Sequence, residues 1–470
     1  MHSAGTDSRT KSPLQISALG PRFGSKKLAA GAPHIRAFCE CVGVCAIRAA
    51  LILAVLSALL LIAARPAQAQ TETAVGAKAR QPTETVLYNF TGGSDGGGPN
   101  SRLTSDGAGN FYGTTQYGGA SGQGTVFELS PNGRGGWNEA VLYSLCSAPS
   151  CTDGADPVDS PVIFDSAGNL YGTASGGGAY GNGVVFELSP VGTSWTETVL
   201  HSFGGGADGA NPDAGVIMDP VGNLYGTTSV DGGVDGTVFE LSPSGGGWTE
   251  QVIYTAGSPS GLTMDAAGNI FGTTYWAVFE LSPNANGGWN PAVIYTFVCT
   301  REGQKCPYGR LPWGTLVLDR AGNLYGVTAY GDATNYGEVY KLSPGSGTWT
   351  EVILHRFKGS PKDGGGPFAG IVFDNKGNIY GTTSSGGEYG APGGGWGTVY
   401  ELVVPIGTHK NYEEKVLWNF NWSDGGGPFS SLILDSGGNL YGTTSGGGSG
   451  YGYGVVFEVT PVGCSSTHAP

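Results

Sequence analysis

Residues 435–448 read DSGGNLYGTTSGGG, and the first ten of them recur in six closely related copies earlier in the chain. The copies are spaced by 46 to 61 residues, with the asparagine of each GN pair at positions 110, 169, 223, 269, 323, 378 and 439. A period near 55 residues is too long for one coil of a β-helix and fits a four-stranded propeller blade. The sequence therefore predicts a tandem array of seven β-sheets.

Each repeat contains four short apolar segments, which we name strands A to D. Strand A ends in the repeated aspartate, and strand B begins at GNLYGTT. Strand C is GTVFELSP in residues 124–131, and strand D is WTETVLHSF in residues 195–203. An Asp–Gly turn between A and B is typical of a hairpin, because the carboxylate accepts backbone N–H groups and glycine adopts positive φ. The repeated Asp, Gly, Tyr and Glu positions are therefore predicted to build the scaffold, with the Gly of NLYG letting neighbouring sheets approach closely.

The two ends of the repeat region predict how the array closes. An unpartnered D-type segment, TETVLYNF in residues 83–90, precedes the first strand A, and the last repeat stops after its strand C, VVFEVTP in residues 455–461. We therefore predict an all-β, seven-bladed β-propeller of four-stranded antiparallel blades over residues 83–461. Strand 84–90 completes the last blade and removes the open sheet edge.

Composition agrees with a globular all-β chain. Of the 470 residues 86 are glycine, hydrophobic residues make up 39% and charged residues 13%, and the formal net charge is −14. Such an acidic molecule repels phosphate backbones, so nucleic acid is excluded as a partner, and we expect a monomer.

The first residues have a different character. A basic leader precedes ALILAVLSALLLIAA in residues 50–64, followed by RPAQAQT. This is the pattern of a secretory signal peptide, which we assign to residues 1–69. The apolar run is short for a membrane span, although a retained N-terminal anchor is the alternative. Residues 70–82 are predicted to be a linker and residues 462–470 a disordered tail. The predicted location is secreted, either extracellular or periplasmic, with no membrane span after signal removal.

Two cysteine pairs occupy equivalent loops after strand D. Cys146 with Cys151, and Cys299 with Cys306, are predicted to form local disulfides in an oxidising compartment. Metal binding is the alternative for these pairs, and no histidine lies near them in sequence. Cys464 has no evident partner.

The combination of GNLYGTT, GTVFELSP and TETVLHSF segments resembles the GloVer tandem repeat of secreted bacterial proteins over residues 83–461. The resemblance implies export and a repeat scaffold. It implies no catalytic residues.

Function is expected on the face formed by the D-to-A and B-to-C loops, which are the long and variable ones. Aromatic rings beside carboxylates suit sugars, so carbohydrate or another extracellular protein is the predicted partner. The aromatic candidates are Tyr117, Tyr180, Trp276, Trp313, Tyr336, Tyr389, Trp396, Trp422, Tyr451 and Tyr453. The acidic candidates are Asp95, Asp208, Asp363 and Asp424, with Asp153 in the same position.

Three further hypotheses stay open. These loops contain no histidine and no unpaired cysteine, which argues against an enzyme, yet a carboxylate-dependent glycan hydrolase or lyase on the same face is an alternative. A structural surface-layer protein is another. No cofactor or metal ligand is assigned, and the Asp-rich loops give only a weak indication of Ca²⁺ because each contributes one or two carboxylates.

Overall fold

The computed structural model of the protein describes residues 81–229, 235–297, 310–331, 335–389, 394–405, 407 and 411–462. The predicted signal peptide lies outside these ranges, as do residues 70–80 of the predicted linker and residues 463–470 of the predicted tail. Cys299, Cys306 and Cys464 also lie outside them. All the described residues belong to one structural unit, Ala77–Pro470.

Seven four-stranded antiparallel sheets confirm the predicted blades. Blades 1 and 2 contain β2 (Thr104–Ser105), β3 (Phe111–Thr115), β4 (Thr125–Pro131) and β5 (Trp137–Ser144), then β6 (Ile163–Phe164), β7 (Leu170–Ala174), β8 (Val184–Val191) and β9 (Ser194–Ser202). Blades 3 and 4 contain β10 (Ile217–Met218), β11 (Leu224–Thr227), β12 (Gly236–Ser244) and β13 (Gly247–Ala256), then β14 (Thr263–Met264), β15 (Ile270–Thr273), β16 (Ala277–Pro283) and β17 (Trp289–Thr296).

The remaining blades follow the same order. Blade 5 contains β18 (Arg310–Leu318), β19 (Leu324–Tyr330), β20 (Glu338–Pro344) and β21 (Trp349–Arg356). Blade 6 contains β23 (Val372–Phe373), β24 (Ile379–Thr383), β26 (Thr398–Val403) and β27 (Glu413–Asn419), with a small extra ladder of β22 (Gly364–Gly365) and β25 (Ser385–Gly386). Blade 7 contains β28 (Ile433–Leu434), β29 (Leu440–Thr444), β30 (Val455–Thr460) and, from the other end of the chain, β1 (Thr83–Asn89). Two short 3-10 helices lie in D-to-A loops, at Pro149–Cys151 and Gly206–Asp208.

The repeated DxxGN sequence forms the turn between strands A and B. Asp165 Oδ1 accepts hydrogen bonds from the Ala167 and Asn169 N–H groups at 2.8 and 2.9 Å, and Asp165 Oδ2 accepts one from the Asn169 side-chain amide at 2.9 Å. The Tyr171 hydroxyl donates to the same Oδ2 at 3.2 Å. These bonds lower the pKa of Asp165 although partial burial opposes them. The Asx-turn prediction is confirmed, and the motif is a structural one.

The glycine in each NLYG segment makes room for a ring in its own blade. A Cβ on Gly226 would lie 2.4 Å from Cζ of Phe239, the residue paired with Gly226 on strand C. We expected the glycine to admit the neighbouring sheet instead. The ring lies inside the blade because strands B and C are adjacent, and the paired residues Gly226 and Phe239 face the same side of the sheet.

Apolar clusters fill the spaces between successive blades. The cluster between blades 1 and 2, for example, joins Tyr112 and Val126 to Val162, Leu170 and Phe186. A cluster of this kind exists at all seven interfaces, and that between blades 7 and 1 includes Phe90, Phe127 and Val456. The sheets therefore form a closed ring.

The closing strand pairs as predicted. β1 lies antiparallel to β30, with Thr83 opposite Thr460 and Asn89 opposite Val455. The Thr443 hydroxyl also donates to the Ser101 carbonyl oxygen at 3.2 Å, which joins the last blade to the first.

Cys146 and Cys151 form the predicted disulfide in the loop after β5. Within the described ranges, no helix has both the length and the apolar character needed to span a membrane.

Candidate functional site

The predicted acidic residues each accept hydrogen bonds inside their own D-to-A loop. Asp153 Oδ2 accepts from the Tyr143 hydroxyl at 2.8 Å and the Ser147 N–H at 2.7 Å. The same kind of contact holds the other four, through Tyr88 and Thr91 on Asp95, His201 and Gly204 on Asp208, Lys358 and Gly364 on Asp363, and Asn421 on Asp424. These carboxylates therefore fold the loops after strand D.

Each of these five aspartates faces a glutamate of the next blade's strand D, and we name each couple a rim acid pair. The pairs are Glu139–Asp95, Glu197–Asp153, Glu250–Asp208, Glu414–Asp363 and Glu84–Asp424. Burial first, and the charge of the facing aspartate second, raise the pKa of Glu139 and of Glu197 to about 7. The same causes raise the pKa of Glu84 to about 8. A proton on the glutamate lets two acidic groups share one blade interface without full charge repulsion.

The predicted aromatic residues lie on the loop face but do not form one cluster. Trp396 and Trp422 pack together, with ring centroids 4.4 Å apart. The ring of Tyr336 covers Gly359 and Gly365, and that of Tyr453 covers Gly92. The most exposed candidates are Tyr117, Tyr180, Trp276, Tyr389 and Tyr451. Trp313 is half-buried and belongs to the group described next.

A second set of residues lies at the mouth of the axial channel, at the point where each D-to-A loop enters strand A. They follow the last proline of that loop by one to three positions. We name the set Arg102, Asp159, Asp213, Trp313, Phe368 and Phe429 the channel mouth. Of these, Trp313 alone was among the residues predicted from the sequence.

One side of the channel mouth is aromatic. The ring centroids of Tyr275 and Trp313 are 6.3 Å apart, those of Trp313 and Phe368 are 6.2 Å apart, and those of Phe368 and Phe429 are 5.5 Å apart. Phe429 keeps 39% of its surface exposed, although it is a large apolar side chain. The rings thus form a continuous row across blades 4 to 7.

The opposite side, on blades 1 to 3, is polar. Asp159 is half-buried, and its burial together with the charge of Asp213 raises the pKa of Asp159 to about 8. Burial also raises the pKa of Asp213 and lowers that of Arg102. Arg102 makes no salt bridge within the described part of the chain.

A cavity of about 450 Å³ lies between these two sides, lined by Arg102 and Asp159 on one side and Phe368 and Phe429 on the other. Its volume lies within the range of about 300–1,000 Å³ that small-molecule sites occupy. The arrangement can stack one face of a ligand on the aromatic row while hydrogen bonding its other groups to a carboxyl pair and a guanidinium.

The sequence contains a signal for the channel mouth in the residues that follow the D-to-A proline. The residue after the D-to-A proline is aromatic in three repeats, in PW (312–313), PF (367–368) and PF (428–429). An acidic residue follows that proline by one position in PD (212–213) and by two positions in PVD (157–159). Aligning the repeats on this proline, and asking which positions vary, would have separated these residues from the scaffold.

Comparison with protein families gives a match over most of the repeat region. A model described as the Gloeobacter/Verrucomicrobia repeat matches residues 134–311 and again residues 312–469. No curated protein sequence matches the chain.

Solved structures with a related arrangement have low identity to this chain. A catalytically inactive variant of virginiamycin B lyase from Staphylococcus aureus, solved with quinupristin, has a TM-score of 0.49 and 16% identity, covering 81% of this chain and 99% of its own. The extracellular domain of a putative hybrid two-component system from B. thetaiotaomicron has a TM-score of 0.48 and 12% identity, covering 83% of this chain and 44% of its own. A putative 6-phosphogluconolactonase from Bacteroides uniformis has a TM-score of 0.44 and 14% identity, covering 69% of this chain and 85% of its own.

Proposed function

The chain belongs to the Gloeobacter/Verrucomicrobia repeat family, and from this premise we propose that it is a secreted propeller that binds a carbohydrate at its channel mouth. The observation that supports the proposal is the division of the channel mouth into an aromatic side and a polar side around one cavity.

The aromatic side suits a sugar ring because the C–H groups of a pyranose pack on aromatic faces. The row from Tyr275 to Phe429 offers several such rings side by side. Exposed aromatic side chains lose apolar contact with water when a ligand covers them, and this favours binding.

The polar side supplies the directional contacts. Neutral Asp159 can both donate and accept a hydrogen bond, and the carboxyl group of Asp213 beside it can accept one from a sugar hydroxyl. Arg102 donates from a fixed planar group and would favour a sugar that carries an acidic substituent. The channel mouth therefore fits an acidic or neutral saccharide better than a basic ligand.

The test is a glycan array probed with the purified protein, followed by calorimetry on the best-bound glycan. We expect the double variant Phe368→Ala, Phe429→Ala to bind at least about tenfold more weakly, since stacking on two rings contributes a few kcal/mol. The control, Tyr180→Ala with Tyr451→Ala, removes two exposed rings of the same face away from the channel and should bind within about twofold of wild type. Equal affinity of both double variants, or no glycan bound by wild type, would reject the proposal.

Secretion is tested separately. We expect the expressed protein in the periplasm or the medium, with its N-terminus near residue 70. Retention of the uncleaved chain in the cytoplasm would contradict export.

A second candidate function is favoured by the carboxyl pair itself. Asp159, with its pKa near 8, holds a proton at neutral pH beside a second carboxyl group, Asp213. In glycoside cleavage one carboxylic acid protonates the leaving oxygen while another carboxylate acts as base or nucleophile. A hydrolase or lyase would release new reducing ends or unsaturated products from the bound glycan, and Asp159→Asn would abolish the release while leaving binding. If the protein binds the glycan but releases no product, the catalytic candidate is rejected and the carbohydrate-binding proposal stands.

A further inference from the structure

One rim acid pair lies beside a histidine whose Nε2 has no hydrogen-bond partner among the described residues. His355 lies on β21 of blade 5, Asp363 lies in the loop that follows, and Glu414 lies on β27 of blade 6. One ligand atom from each of the three side chains lies within 4.8 Å of the other two. The group therefore brings three metal-binding side chains together across a blade interface.

The distances exceed hydrogen bonds and fit a shared ion. His355 Nε2 is 3.6 Å from Asp363 Oδ2 and 3.9 Å from Glu414 Oε2. A hydrogen bond between such groups would be about 2.7–3.2 Å long. Donor atoms held about 2.0–2.2 Å from one tetrahedral ion are about 3.3–3.6 Å apart, close to the spacing observed.

Burial makes the missing partner significant. The side chains of Asp363, His355 and Glu414 are only 6%, 11% and 14% exposed. His355 Nε2 is inaccessible to water and has no hydrogen-bond partner within the described residues. Glu414 Oε1 also has none there, a property it shares with the glutamates of the other rim acid pairs. Buried polar atoms without partners are uncommon, and an ion is one of the recognised reasons for them.

The equivalent group in blade 2 provides an internal comparison. His201 Nε2 lies 3.1 Å from Asp208 Oδ1, within hydrogen-bond distance, and it is not left unpartnered. Histidine at this position thus pairs directly with its aspartate in blade 2 but not in blade 5.

The surroundings of the blade 5 group hold its ligands in place. The Lys358 and Gly364 N–H groups donate to the Asp363 carboxylate at 2.8 and 2.7 Å, which fixes its orientation. Arg356 is engaged elsewhere, since its Nε donates to Glu338 Oε1 at 2.7 Å. Fixed ligands of this kind are usual around bound metals.

We propose that His355, Asp363 and Glu414 bind one divalent transition-metal ion of the zinc type, which joins blade 5 to blade 6. One imidazole and two carboxylates are ligands that Zn²⁺ accepts, and water would occupy the fourth position. Two carboxylates balance the charge of the ion. Because the ligands come from two blades, the ion stabilises the ring and needs no part in ligand binding at the channel mouth.

The experiment uses the full chain, stripped with chelator and titrated with Zn²⁺. Cysteines elsewhere in the sequence can bind the same ion through sulfur, so the readout is the difference between variants in bound zinc and in unfolding temperature. We expect His355→Tyr to bind one equivalent fewer than wild type and to lose the zinc-dependent rise in unfolding temperature. Tyrosine occupies this position in four other repeats, at Tyr88, Tyr143, Tyr254 and Tyr295, so this variant should fold.

The matched control is His201→Tyr. This variant should bind as much zinc as wild type and keep the zinc-dependent rise in unfolding temperature. Glu414→Gln, which retains the shape of the side chain, provides a second variant and should weaken zinc binding at least about tenfold. Equal zinc content in wild type, His355→Tyr and Glu414→Gln, or an equal loss in His201→Tyr, would overturn the proposal.

Discussion

Single glycines determine whether the rings of strand C fit. Phe239 is fully buried, and its ring occupies the space that a side chain at position 226 would need. The ring cannot leave without disturbing the cluster between blades 2 and 3, which also contains Tyr171, Val216 and Leu241.

We therefore predict that Gly226→Ala lowers the free energy of unfolding by about 1–3 kcal/mol, because overpacking forces the ring or the strand to shift. Chemical denaturation measures the change. Gly247→Ala is the control, since the nearest atom to its added Cβ would be 3.9 Å away, and it should change the free energy of unfolding by less than about 0.5 kcal/mol. Equal destabilisation by both would contradict the steric explanation.

For single residues, the sequence shows that a residue is structural more readily than it shows which distant residue lies next to it in the fold. Seven copies of DxxGN make the Asx turn evident, and its hydrogen bonds are local, as in Asp165 with Asn169. The proposed metal ligands His355 and Glu414 lie in different repeats, so no local motif joins them. The sequence predicts the D-loop aspartates as ligand groups, and it does not show that the Tyr143 hydroxyl donates a hydrogen bond to Asp153.

Among the elements of the blade, strand D carries the glutamates whose protonation affects the stability of the fold. It contributes the glutamate of each rim acid pair, and the folded state raises the pKa of Glu139, Glu197 and Glu250 to about 7. A raised pKa means that the folded protein binds these protons more tightly than the unfolded chain does. This contribution to stability is full below the ordinary glutamate pKa and is lost as pH rises through about 7.

The turn aspartates act in the opposite direction. Hydrogen bonds lower the pKa of Asp165 and Asp319 in the folded state. Their contribution to stability is present above the ordinary aspartate pKa. It is lost as pH falls through the lower pKa that these aspartates have in the folded state. The two sets together place the stability maximum at mildly acidic pH.

We predict that the unfolding temperature falls between pH 5.5 and pH 8.5, and that Glu139→Gln with Glu197→Gln reduces this fall. Glutamine resembles the protonated acid, faces Asp95 and Asp153 without adding charge, and cannot ionise. Scanning calorimetry at several pH values measures the effect. Glu388→Gln removes one exposed carboxylate of a B-to-C loop and should leave the slope unchanged. A fall of the same size in the double variant and wild type would disprove the role of the pairs.

The architecture of the whole molecule is predicted from the sequence more completely than its single contacts are. Counting the repeats and noting the displaced strand D is enough to define seven blades and the pairing of β1 with β30. The channel mouth is not predicted in the same way. It brings together residues as distant as Asp159 and Phe429, which only ring closure makes neighbours of one cavity.

Closure by β1 leads to a truncation prediction. A chain of residues 81–470 should unfold in one transition at the temperature of the full chain, whereas residues 91–470 should unfold at a lower temperature and aggregate, because β30 then has an open edge. A peptide of residues 81–91, added in excess, should restore part of the lost stability, and a scrambled peptide should not. Identical unfolding of the two truncated chains would show that β1 is dispensable.

The pairing of β1 with β30 also has a consequence for the time course of synthesis. Asn89 Oδ1 accepts a hydrogen bond from the Ser449 N–H across 360 positions of sequence. A ribosome adding about 5–20 residues per second needs about 20–70 s to make that stretch. Throughout that interval the earliest strand has no partner, so we expect the nascent chain to depend on a holding chaperone until its last hairpin emerges.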